Sequence, residues 1–74
     1  MSQSETIYEL TIPRSSPDAL RVGIDEESGK VLVEFGFFKE KGVVLVDVRK
    51  ELDVEMAENL LSHLQSALEE LTDS

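Results

Sequence analysis

The stretch KVLVEFGFFKEKGVVLVDV, residues 30–48, decides the fold of this chain because it predicts a central β-hairpin. Side chains in both halves alternate between two faces with a period of two, which is typical of strands. The KEKG segment between the halves is about four residues long and ends in Gly42. Because so short a loop joins antiparallel neighbours, residues 30–38 and 43–48 are expected to pair as a hairpin.

Two further strands are predicted upstream of this hairpin. TIYELTI, residues 6–12, and LRVGI, residues 20–24, both alternate with a period of two. Pro13 ends the first of these segments, and PRSSPD has the composition of a turn. The polar DEESG segment, with Gly29 at its end, connects the second to the hairpin.

The period changes to that of a helix in the last third of the chain. Asp53 is a plausible N-cap, and the apolar positions that follow form a stripe about 120° wide. These positions are Ala57, Leu60, Leu61, Leu64, Ala67, Leu68 and Leu71. The predicted fold class is therefore α+β in β-β-β-β-α order: a four-stranded antiparallel sheet with one C-terminal amphipathic helix packed on one face.

Length and composition predict one small domain over residues 1–74, with frayed tails at residues 1–5 and 72–74. A chain of this size has a thin margin of stability, so a partner or a second copy would help. The chain contains no cysteine, and its N-terminus lacks the features of a signal peptide. Because small secreted domains usually carry disulfides, these features favour a cytoplasmic protein that does not cross a membrane.

The charge is strongly acidic and unevenly distributed. The formal net charge is −9, and residues 51–74 carry seven carboxylates without a lysine or arginine. Direct binding to nucleic acid or to an anionic membrane is disfavoured, because both require clustered basic side chains.

No group of residues predicts catalysis, a cofactor or a metal. His63 is the only histidine, and a zinc site needs three or four ligands. DEESGK resembles a phosphate loop only superficially, because Val31 replaces the required serine or threonine and no helix follows. The expected protein is not an enzyme.

Two surfaces are candidates for interaction. The acidic face of the helix, formed by Glu55, Glu58, Glu69 and Glu70, is expected to meet a basic surface on a protein partner. The simpler alternative is that these carboxylates only keep the helix solvated. The second face of the sheet carries apolar residues that predict a homodimer interface. Its predicted members are Leu32, Phe38, Val43 and Leu45.

The predicted function is that of a small acidic, non-catalytic interaction module, homodimeric, which binds or inhibits a partner protein. The alternative is a nucleic-acid-mimicking inhibitor of phage or mobile-element origin, of the anti-defence type, that blocks a nucleic-acid-binding protein. That alternative depends only on size and charge, and the acid-free helix centre, residues 59–68, weakens it. An antitoxin-like or purely structural subunit is a third interpretation.

Overall fold

The computed structural model describes residues 5–73, and within that range it contains three strands and one helix. The elements are β1 (Ala19–Asp25), β2 (Lys30–Glu40), β3 (Val43–Leu52) and α1 (Val54–Asp73). The strands form one antiparallel sheet in the order β1-β2-β3, so β2 lies at its centre.

Both turns of the sheet end in a glycine with a positive φ. Gly29 has a φ of 72° and donates its amide to the Asp25 carbonyl at 2.8 Å, which closes the β1–β2 turn. Gly42 has a φ of 83° in the β2–β3 turn. Such φ values are costly for residues that carry a Cβ. The predicted central hairpin is confirmed, and its two strands are longer than the alternation indicated.

The prediction of four strands is wrong, because residues 6–12 form no strand in the structure. Their apolar side chains are open to solvent, with Tyr8 86% exposed and Leu10 89% exposed. Alternation makes a segment suitable for a sheet, but a strand forms only when its backbone groups pair with a neighbouring edge. The predicted tails lie partly outside the described residues, since residues 1–4 and 74 are not among them.

The pairing register assigns side chains to the two faces of the sheet, since directly opposite residues share a face. One face, here the arginine face, carries three charged residues opposite one another, Arg21, Glu34 and Arg49. The other, here the aliphatic face, carries Lys50, Glu40 and a set of apolar residues. That set is Leu20, Val22, Ile24, Val31, Val33, Phe35, Phe37, Val43, Leu45, Val48 and Leu52.

A register shift between Phe35 and Gly36 sets how β3 contributes to each face. Phe35 lies opposite Val48, whereas Gly36 lies opposite Val46, so β3 has one extra residue at this point. An extra residue of this kind is a β-bulge, and it changes which side chains on the two strands share a face.

The helix is capped but is not packed along the sheet. The Asp53 carboxylate accepts a hydrogen bond from the Met56 amide at 2.8 Å, which confirms Asp53 as the N-cap. None of the described residues of α1 is buried. The expected helix packed across one face is therefore not what the structure shows. The Cα radius of gyration is 15.7 Å, whereas a compact domain of this length has about 11 Å.

Candidate interaction surfaces

The polar side of α1 carries the four glutamates that the sequence singles out. At 100° per residue, Glu55, Glu58, Glu69 and Glu70 fall within an arc of about 120°, opposite the apolar stripe. All four are exposed. The predicted partner-binding set therefore lies on one face of α1.

The four glutamates form two groups along the helix axis. Glu55 and Glu58 lie in the first turns, whereas Glu69 and Glu70 lie near the end. With a rise of 1.5 Å per residue, Glu58 and Glu69 are separated by about 16 Å. The helix thus presents two acidic groups with a neutral stretch between them.

The arginine face contains an ion-pair row that crosses all three strands. Arg21 of β1 donates through Nε to Glu34 Oε1 at 2.7 Å, and Arg49 Nε lies 2.8 Å from Glu34 Oε2. Glu34 is the buried member, with a side chain 8% exposed, while the two arginine side chains are 75% and 72% exposed. The carboxylate is therefore shared by two guanidinium groups that still face water.

This environment determines how Glu34 titrates. The hydrogen bond from Arg21 and the positive charges of Arg21 and Arg49 lower the pKa of Glu34 below its ordinary value of 4.5, against the opposing effect of burial. The row was not predicted from the sequence. Glu34 stands out as the single acid within an apolar run, but its partners are identified only by the strand register.

The predicted dimer residues are divided between the two faces of the sheet. Leu32 and Phe38 lie on the arginine face, because both alternate with Glu34 on β2. Leu45 pairs with Phe37 and therefore lies on the aliphatic face, which Val43 shares two positions earlier. The structure does not bring the four residues together on one surface, and their role in dimerisation stays a prediction.

Two apolar surfaces are open to solvent. On the aliphatic face, Leu20, Val22 and Ile24 are 63%, 61% and 70% exposed. On the helix, Leu61 and Leu64 of the stripe are 57% and 52% exposed. Among residues 5–73, Val33 is the one hydrophobic side chain that is buried. An open area of this extent is typical of a protein that associates with another chain.

Side chains that could together hold a metal ion do not assemble within the described part of the chain. Over residues 5–73, no three His, Cys, Asp or Glu side chains are grouped so that they could hold a metal ion. His63 is exposed on α1. The helix that the structure describes is too polar to cross a membrane.

Comparison with known proteins gives no relative, because no family model, no curated protein and no solved structure matches this chain.

Proposed function

We propose that this chain is a small acidic, non-catalytic interaction module that binds or inhibits a basic protein partner and acts as a homodimer in the cytoplasm. The observation that carries the proposal is the acidic face of α1, defined by Glu55, Glu58, Glu69 and Glu70. These carboxylates are exposed and lie opposite the stripe, and residues 51–74 contain no lysine or arginine to neutralise them. A basic partner would be attracted by this surface and would associate faster at low salt.

The spacing of the acids favours a basic protein surface over imitation of nucleic acid. A duplex carries about one phosphate charge per 1.7 Å of its axis. The acidic groups of α1 are separated by a neutral gap of about 16 Å, so they do not reproduce a continuous row. Two separated patches suit a partner with two separate clusters of lysine or arginine.

Self-association and location are supported by other features of the chain. The open helix stripe and the open aliphatic face need cover, and a second copy would supply it. The absence of cysteine supports a cytoplasmic location, since small secreted domains usually carry disulfides.

The test compares two variants that lose the same charge at different places. The helix variant replaces Glu55, Glu58, Glu69 and Glu70 with glutamine. The control variant replaces four exposed glutamates outside α1, which are Glu5, Glu9, Glu26 and Glu27. The wild type and the two variants serve as separate baits in pull-downs from lysate of the source cell. The captured proteins are eluted by a salt gradient.

We expect the wild type and the control to retain a basic protein in stoichiometric amount and to release it with salt, because exposed charge pairs are screened. The helix variant is expected to lose it. Equal retention by both variants, or retention that does not depend on salt, would contradict the proposal.

A further inference from the structure

The apolar stripe of α1 lacks the cover that a helix of this kind needs. Leu60, Leu61, Leu64 and Leu68 are 40%, 57%, 52% and 58% exposed. Helices in proteins gain most of their stability from packing an amphipathic face against a neighbour. The 20-residue α1 touches β2 and β3 only sparsely and buries none of its described residues.

The solvent-accessible surface area of the chain indicates how much of its surface lacks a packing partner. It is 7171 Å² for a chain of 8.3 kDa, whereas a folded monomer of this mass exposes about 4,600 Å². Residues 5–18, which are all exposed, contribute to this excess together with the open faces of the sheet and the helix. Two copies that each covered about half of this excess would bury about 2,500 Å² in total, which is within the range of obligate homodimer interfaces.

The connection between β3 and α1 is short and held by a helix cap. β3 ends at Leu52 and α1 begins at Val54, so Asp53 is the only connecting residue. The Asp53 carboxylate binds the Met56 amide at 2.8 Å, and its carbonyl binds the Ala57 amide at 2.9 Å. This cap fixes the direction of the helix at its first turn. Short connections of this kind favour exchange of an element between copies.

We propose that two copies form a twofold homodimer in which α1 of each copy packs its leucine stripe on the aliphatic face of the other. This arrangement depends on the self-association included in the proposed function and specifies its geometry. Each chain carries both the leucine stripe and the aliphatic face. A twofold axis therefore forms the same stripe-to-face contact twice, once for each helix.

The aliphatic face fits the stripe better than the arginine face does. Arg21 and Arg49 are 75% and 72% exposed on the arginine face, and a leucine stripe placed there would remove their water without supplying a partner. On the aliphatic face, the register places Lys50 opposite Val33 and Glu40 opposite Val43 at the end of β2. Both are long side chains that can carry their charged groups to the rim.

In this dimer, in which the two copies exchange their helices, the acidic face of α1 stays in solvent on both copies. The dimer would therefore present two sets of acidic groups to a basic partner. Engagement of both sets would raise the apparent affinity through avidity.

The test uses cross-linking, for which the absence of cysteine in this chain is favourable. One chain carries Leu64→Cys in the middle of the stripe, and a second, differently tagged chain carries Val22→Cys on the aliphatic face. The two are unfolded, mixed, refolded together and treated with a short bismaleimide. We expect a cross-linked species that contains both tags. Ser66→Cys, on the polar side of the same helix, is the matched control and is expected to give no such species.

Three outcomes would overturn the proposed exchange of α1 between two copies. Cross-links confined to pairs of Leu64→Cys chains would show that the helices pair with each other. Absence of any cross-link to Val22→Cys, with circular dichroism that matches the wild type, would place the stripe elsewhere. A wild type that is monomeric by light scattering at all concentrations would exclude a dimer, and the pull-down would still test partner binding separately.

A second variant keeps every side chain and changes only the connection. A Gly-Ser insertion of about four residues between Leu52 and Asp53 retains the N-cap and allows α1 to fold back on its own sheet. We expect a shift from dimer to monomer by light scattering. A dimer unchanged by the insertion at low protein concentration would contradict the exchange.

Discussion

Arg21 binds the Glu34 carboxylate through Nε at 2.7 Å, and this contact joins the edge strand β1 to the central strand β2. Arg49 approaches the second oxygen of the same carboxylate from β3 at 2.8 Å. One buried acid therefore connects side chains of all three strands. Charge-assisted hydrogen bonds of this kind are stronger than neutral ones.

Glu34→Gln should destabilise the sheet. An amide has no charge, and its NH2 group would replace one of the two carboxylate oxygens that accept from Arg21 and Arg49. We expect the thermal midpoint to fall by about 5 °C. Glu26→Gln, at the exposed β1–β2 turn, is the matched control and should leave the midpoint unchanged. Equal midpoints for the two variants would show that the row adds no stability.

The contribution of Glu34 should depend on pH in a defined direction. Its pKa is lowered in the folded state, chiefly by the Arg21 hydrogen bond. The stabilisation is therefore present above the unfolded pKa and is lost as the pH falls through the lower folded pKa. Urea midpoints of the wild type and Glu34→Gln, measured from about pH 7 to pH 3, should converge in acid. A difference that stays constant over this range would contradict the assignment.

Gly36→Ala should destabilise the sheet through a steric collision. A Cβ at Gly36 would meet the Leu45 carbonyl and lie 2.9 Å from Val44 Cγ1. Overpacking of this kind costs about 1–3 kcal/mol. Gly23→Ala on β1 is the control, because a Cβ there meets nothing within 4 Å. Chemical denaturation should separate the two variants, and similar losses in both would show that β3 moves to accommodate the methyl group.

Asp53→Ala should weaken the start of α1. The substitution removes the acceptor of the Met56 amide and is expected to cost about 1 kcal/mol. Asp53→Asn retains an acceptor oxygen and should stay close to the wild type. Far-ultraviolet circular dichroism during urea titration measures both. Equal losses would indicate that the charge of Asp53, and not its hydrogen bond, stabilises the helix.

The two sheet faces should respond differently to an added charge. Leu45→Glu puts a carboxylate on the aliphatic face, and burial of an unpaired charge in the proposed contact should yield monomers. Phe38→Glu puts the same group on the arginine face and should leave the dimer intact. Light scattering over a concentration series distinguishes them. A dimer that survives Leu45→Glu and dissociates with Phe38→Glu would move the interface to the arginine face.

Local patterns predicted the hairpin and the helix because their determinants are close in sequence. Alternation, a short connection and Gly42 were enough for the β2–β3 pair. A stripe with a 3.6-residue period and the cap at Asp53 were enough for α1. The same kind of alternation over residues 6–12 predicted a strand that the structure does not contain. Alternation indicates that a segment is suited to a β-sheet. It does not indicate whether a sheet edge is available for the segment to pair with.

The sequence by itself determined the central hairpin, the capped amphipathic helix and the exposed acidic face, since each depends on a period or on neighbours a few residues apart. Only the tertiary structure decided which side chains share a face, because one extra residue opposite Phe35 and Gly36 changes the alignment of β3. It also brought Arg21 and Arg49 to Glu34, since register is a property of paired strands. It also decided that the helix stripe stays open, because packing depends on how α1 lies against the sheet, and α1 buries none of its described residues there.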